Sequence, residues 1–270
     1  MLKIVNGQQV SDGAGVRLNR VIGTNSLDNA NPFYLLDEFR SDKKEDYIAG
    51  FPMHPHRGIE TITYMIEGNF IHRDSQGNEG SLKAGEVQWM TAGKGILHEE
   101  MPQMENGHLW GYQLWINLPS KLKMIEPKYR HIKKSEIPIV EKDGIQVKII
   151  AGSFEEVQGA VVSSYPVDYL DVRLDKGSFD REAKETNIIY VHSGKVTVAA
   201  GDEQIEIEAG NLIVVEEASS FKVTGEKSGI LYLGGTPIKE PVYRYGPFIM
   251  NTVDEIIQAV DDYNSSALDK

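Results

Sequence analysis

The 270-residue sequence contains no cysteine. That absence excludes disulfides, thiolate-held metals and cysteine nucleophiles, so a bound metal must rely on imidazole, carboxylate or water. Long apolar runs are missing too. No stretch approaches the ~20 apolar residues that span a bilayer as a helix, and the opening "MLKIVNGQQVSDGAGV" lacks the charged start and apolar centre of a secretory leader. Neither export by that route nor membrane insertion is expected, and a reducing cytoplasm suits the composition. Positive charge is scarce: 28 Lys and Arg against 40 Asp and Glu give a formal net charge of -12. Such a field repels phosphate backbones, so direct nucleic-acid binding is not expected.

Helical periodicity is nearly absent before residue 250, and short apolar or alternating runs closed by Gly, Asn or Asp take its place: "IETITYMIEGNF", "GSLKAGEVQWM", "HLWGYQLWINL", "GIQVKIIAG", "SFKVTG" and "SGILYLGG". Runs of this length with frequent turn signals predict an all-β chain. The pattern repeats. "YMIEGNFIHRDSQGNEGSLKAGEVQWM" and "YVHSGKVTVAAGDEQIEIEAGNLIVV" share one order of strands and turns, Gly68 answering Gly194 and Ala84-Gly85 answering Ala209-Gly210. Two copies of one barrel unit are expected: residues 1–120 with the chemistry, 121–143 as linker, 144–236 as second barrel, and 237–270 as a C-terminal segment. Lys121, Lys123, Lys128, Arg130, Lys133 and Lys134 of the linker read as a solvated face. In "NTVDEIIQAVDDY", Thr252 and Glu255 make a capping box while Val253, Ile256, Ile257 and Val260 share one stripe, which predicts a short amphipathic helix packed on a barrel.

The candidate chemistry lies in "GFPMHPHRGIE" and "GILHEEMP". Residues two apart on a strand share a face with Cα atoms about 6.6 Å apart, so His54 and His56 can reach one ion. Pro55 between them donates no N–H, which suits an edge or bulge. His98 and Glu100 repeat the spacing. If the two strands lie across a barrel from one another, three imidazoles and one carboxylate converge, a set suited to divalent iron, manganese, nickel, copper or zinc with positions left open.

"HPHRGIETITYMIEGNFIHRDSQGNEG", "AGEVQWMTAGKGILHEEMP" and "GPFIMNTVDEIIQA" resemble the pirin family, two-domain members of the cupin superfamily, from about Arg20 to the C-terminal helix. The resemblance implies two tandem cupin (double-stranded β-helix or jelly-roll) barrels and one metal in the first. Its ligands fall on His54, His56, His98 and Glu100. Iron(II) is the metal it implies first, with nickel, copper, manganese, cobalt or zinc as alternatives. In many cupins the carboxylate comes from the first motif, where Glu60 stands, but a straight strand would carry Glu60 about 13 Å past His56. Only a bend at Arg57-Gly58 could return it, so Glu100 is preferred and Glu60 is assigned to orienting an imidazole N–H. Asp180, Glu182 and Glu185 of the second copy read as solvated charge on a turn, and no metal is expected there.

The other histidines read as structural: His72 bonding a hairpin turn, His108 preceding a strand, His131 in the linker, His192 beside the Gly194 turn. Phe51, Trp89 and Met90 flank the candidate ligands as either core or an apolar mouth. Two functions follow from the resemblance. One is a dioxygenase opening flavonols such as quercetin with molecular oxygen, with Glu100 as fourth ligand or as the base for the 3-hydroxyl proton. The other is a metal-dependent regulator that binds a protein partner, for which the acidic charge favours a basic one. Two barrels close their own cores, so a monomer is expected.

Overall fold

The computed structural model describes residues 1–103 and 107–270. The chain is all-β with a short C-terminal helix, and it divides into two compact units whose segments interleave. One comprises Gln9–Arg20, Phe33–Lys134 and Ile238–Lys270; the other comprises Met1–Gln8, Val21–Pro32 and Ser135–Pro237.

In the first unit a four-stranded antiparallel sheet runs in the order Phe51–His56, Ile96–Gln103, Asn69–Asp74, Glu79–Lys83. The larger sheet runs in the order Lys128–Ile132, Val87–Thr91, Ile59–Glu67, Leu109–Asn117, Phe33–Ser41, Val16–Ile22, Gln8–Asp12. Val16, Leu18, Phe39 and Met65 from the larger sheet bury against Phe70 and Leu82 from the smaller, which makes a two-layer barrel with one apolar end. Gly58 joins the layers. Its φ of +81° is open to glycine at little cost, and a Cβ there would lie 2.1 Å from the Ile249 carbonyl.

The second unit repeats the plan. Leu2–Asn6, Asn211–Val215, Thr186–Ser193, Ser228–Gly235, Val167–Leu174, Ile145–Ala151 and Ile139–Lys142 form its larger sheet, and Ser178–Glu182, Ser220–Gly225, Lys195–Ala200 and Glu203–Glu208 its smaller one. Phe154, Phe179, Phe221 and Tyr232 fill the interior where the first unit carries imidazoles. The repeat seen in the sequence is a repeat of hairpins, with Gly68 and Gly194 at φ +85° and +68°. Asp180 and Glu182 stand on a strand rather than a turn, Asp180 facing Lys222 across the ladder at 3.4 Å.

The segment read as linker contributes the strand Lys128–Ile132 to the edge of the larger sheet, paired with Val87–Thr91. Lys123 corrects the reading of that segment as solvated, since it is only 1% exposed. Its ammonium donates to the Gly58 carbonyl at 3.0 Å, Asn117 Oδ1 at 2.6 Å and the Ile249 carbonyl at 2.7 Å. It thereby ties the inter-layer bend to the C-terminal segment, whose strand Phe248–Met250 leads into the helix Val253–Asn264. Thr252 and Glu255 close the expected capping box, and Ala259 is buried with Phe248 and Leu268.

Lys123→Met removes the ammonium donor from the Asn117 Oδ1, Ile249 and Gly58 acceptors, of which Gly58 keeps the Leu118 N–H, and should lower the unfolding free energy by about 3 kcal/mol. Burial pushes Lys123 down to about 7 from an ordinary 10.5. The folded chain therefore gives up this proton before the unfolded chain does, and the group's contribution, complete above 10.5, is lost as pH falls through 7. Urea unfolding of the wild type should show a gain between pH 7 and 9 that Lys123→Met lacks.

Candidate metal centre

The two histidine strands are antiparallel neighbours in the four-stranded sheet, not opposite walls of the barrel. His54 is the direct partner of His98, and His56 of Ile96. Directly opposite residues share a face of a sheet, so this register brings three imidazoles together without reaching across the interior. Phe51–His56 is the edge strand, as Pro55 requires. Ring centroids lie 4.3 Å apart for His54 and His98, 4.9 Å for His54 and His56, and 5.1 Å for His56 and His98. One nitrogen from each ring falls within 4.8 Å of the others, a spacing that can hold a metal ion.

Hydrogen bonding sets two of the tautomers. His54 Nδ1 lies 2.9 Å from the Pro52 carbonyl and His56 Nδ1 3.4 Å from the Pro247 carbonyl. A carbonyl accepts only from N–H, so Nε2 of each ring is left with a lone pair. His98 is fully buried and neither of its ring nitrogens has a partner among the described residues. Burial, then the neighbouring His54, holds His56 well below the ordinary imidazole value. His98 is depressed in the same way, by burial first and then by His54, His56 and His72. Neutral, desolvated imidazoles with an orphaned nitrogen fit a divalent transition metal, which would supply the missing partner.

Glu100 follows His98 after a bulge that puts it opposite Phe51. Its Oε1 receives Gln88 Nε2 at 3.0 Å and lies 2.5 Å from the Thr63 hydroxyl. Oε2 has no partner among the described residues, and Glu100 borders a cavity of about 560 Å³ together with His54 and His56. Its oxygens stand outside the tight three-histidine group.

Glu60 goes elsewhere. The bend at Gly58 exists, but it passes the chain into the other sheet, where regular pairing puts Glu60 and Thr63 on opposite faces. Trp89 Nε1 donates to Glu60 Oε2 at 3.0 Å and Thr91 Oγ1 to Oε1 at 2.7 Å. The assignment of Glu60 to an imidazole N–H is thus replaced by an indole and a hydroxyl on the far side of the sheet.

His72 also departs from its reading as a turn residue. It stands opposite Glu100, fully buried, stacked on Tyr129 at 4.6 Å and 5.5 Å from His98. Among the described residues its ring meets the hairpin through Asp74, 3.1 Å from Nε2. The spacing of Phe70, His72 and Asp74 at every second position of one strand, which puts His72 on the face of Phe70, was the signal in the sequence. His108 and His131 meet Glu67 and Glu86, and His192 lies 3.2 Å from Asp171. Of the three flanking hydrophobics, Phe51 borders the cavity, Met90 joins the apolar core, and Trp89 faces away with Glu60. Sequence reasoning missed Trp115, which meets the His56 ring edge-on at 4.9 Å, and Arg244, 5.3 Å above the indole.

Two cupin barrels in one chain, one of them carrying three histidines whose spacing could hold a metal ion, define this as a bicupin. The pirin model matches residues 15–116 and the pirin C-terminal cupin model residues 169–269. Pirin of Homo sapiens is 41% identical over 273 residues, covering 98% of this chain and 92% of that one. Quercetin 2,3-dioxygenase from Acinetobacter baumannii superposes with a TM-score of 0.88 at 31% identity, over 98% of this chain and 96% of the other. The bacterial pirin YhhW of Escherichia coli, solved in complex with nickel(II), shares the fold with a TM-score of 0.70 at 20% identity, over 88% of this chain and all of that one. The chain belongs to the pirin family.

Divalent metal added to metal-free protein should raise the thermal midpoint, since a ligand held only by the folded state contributes about 2.7 kcal/mol at a hundredfold excess over its Kd. Glu60→Gln, on the other face of the sheet, should respond to metal as the wild type does; loss of the metal-induced shift in that variant would contradict the assignment above.

Proposed function

We propose that this protein is a metal-dependent dioxygenase that opens flavonols such as quercetin with molecular oxygen, its metal held by His54, His56 and His98 with Glu100 as the fourth ligand. The observation that carries the reading is the joint placement of His54, His56 and Glu100 on one wall of a cavity of about 560 Å³. That volume lies within the usual range for small-molecule sites, about 300 to 1,000 Å³. A divalent metal there supplies Lewis acidity and a template for substrate and oxygen, with iron(II) first among the candidates.

The chain's own groups divide the remaining work. Leu18, Leu35, Phe39, Phe51 and Trp115 give the cavity apolar and aromatic walls that exclude water and hold a flat aromatic molecule. The Pro52 and Pro247 carbonyls keep the His54 and His56 rings turned inward. Thr63 and Gln88 fix Glu100 through Oε1, leaving Oε2 to bind the metal or to accept the 3-hydroxyl proton of the flavonol.

Protein loaded with iron, nickel, manganese or cobalt should deplete the long-wavelength absorbance of quercetin under air. Chelation or His56→Ala should abolish turnover, with metal content by mass spectrometry falling in parallel. Glu100→Gln should lower kcat by about a hundredfold or more. Turnover that survives chelation or His56→Ala would sink the proposal. Absence of turnover with every metal, with a protein that co-purifies and is released on chelation, would favour a regulatory role instead.

A further inference from the structure

The cavity has a second polar feature, on the larger sheet. Asp37, on Phe33–Ser41, pairs directly with Gln113, which in turn pairs with Thr63, the residue that contacts Glu100. Asp37 therefore stands on the same face of the larger sheet as Thr63, two strands away, or about 10 Å at ordinary strand spacing. Arg20 grips it in a fork, Nε to Oδ1 at 2.8 Å and Nη2 to Oδ2 at 2.7 Å. The same Nη2 also donates to Asp12 Oδ2 at 2.6 Å.

Two features of this cluster point to a ligand. A carboxylate offers about four lone-pair positions. Among the described residues Asp37 receives only the two Arg20 bonds, although it is 3% exposed and borders the cavity. Burial pushes it up to about 6 in spite of Arg20, which is the response of a carboxylate short of donors. On the same wall the Trp115 Nε1–H is buried without an acceptor. Arg20 is shared between two carboxylates, and Arg244, which donates to the Tyr34 and Gly246 carbonyls, adds its positive charge to the field at Asp37, so the charge of the cluster is met on the wall itself. What the wall lacks is a neutral partner carrying hydroxyl donors.

We infer that Asp37, held in place by Arg20, is a specificity-determining residue that accepts hydrogen bonds from hydroxyl groups on the substrate ring farthest from the histidines. The cavity then selects polyhydroxylated aromatic molecules of two or three linked rings over counterparts that lack those hydroxyls. A single ring anchored near Glu100 would not span the distance to Asp37. The inference rests on the reading of the cavity as a flavonol site, but it concerns the wall away from the metal.

The test is calorimetric binding of two flavonols, quercetin and an analogue whose distal ring carries no hydroxyl, to metal-loaded and metal-free protein. Hydrogen bonds to a charged group are worth about 1.5 to 3 kcal/mol, so wild type should prefer quercetin by about tenfold to a hundredfold, with or without metal. In Asp37→Leu, and in the double variant Arg20→Leu with Asp37→Leu, the preference should shrink to about threefold or less. A purely structural role would weaken both ligands alike and keep the ratio, and that result overturns the inference. Equal affinity of the wild type for the two ligands, or binding of neither, overturns it as well and needs no variant to fold. Preferential binding without turnover by any metal form would remove the dioxygenase reading and leave this one standing; turnover with equal affinities would do the reverse.

Discussion

Strand alternation is the constraint on which the site depends. In a paired antiparallel sheet each side chain has one of two destinations, and neighbouring strands in register must send opposite residues the same way. Because His98 faces His54 across the ladder, and His56 lies two residues on, the imidazoles meet on one surface as a consequence of pairing. The same rule puts Thr63, Gln88 and Gln113 on the inner face of the other layer, where two of them reach Glu100 and the third approaches Thr63. It also sends Glu60 and Trp89 outward together.

The second barrel shows what the plan is without that chemistry. It has the same order of strands and turns, yet its interior is closed by stacked and tilted aromatics and branched aliphatics. That interior is largely apolar, and the polar groups this unit buries, such as Asp168, Asp171 and Asn187, meet Arg181, His192 and Tyr232. The first barrel accepts buried polar groups at one end; among the described residues His98, His72 and Trp115 carry unmatched ring nitrogens near the candidate site, and Thr61, Asn117 and Asn251 each carry an unmatched polar atom as well. His98 stands apart because both nitrogens of one fully buried ring are unmatched, which is costly in a stable core and fits a ring placed for a ligand. The C-terminal segment takes part as well. Pro247 orients His56, Arg244 covers Trp115, and Lys123 fastens Ile249, so residues nearly two hundred positions from His56 form part of its surroundings.

Much of this was legible in the residues themselves. The alternating runs define the strands, the paired glycines mark the duplicated hairpins, and Thr252 with Glu255 announces the helix. His-x-His and His-x-Glu spacing groups the candidate ligands because parity is a property of a single strand. Lys123 was misread because it sits among six basic residues, and composition carries no sign of the three carbonyls gathered around it. His72 was misread because its partner across the sheet, Glu100, is 28 positions away in the chain.

The sequence by itself determined the all-β class, the two-barrel repeat and the residue types able to hold a metal, since each follows from local periodicity and side-chain chemistry. Only the tertiary structure decided that the histidine strands are neighbours, that Glu60 faces away, and that Arg20 and Asp37 border the same cavity as Glu100. Those facts depend on which strands pair and in what register. Pairing is settled by how two whole sheets bury their faces, and a single strand does not carry that information.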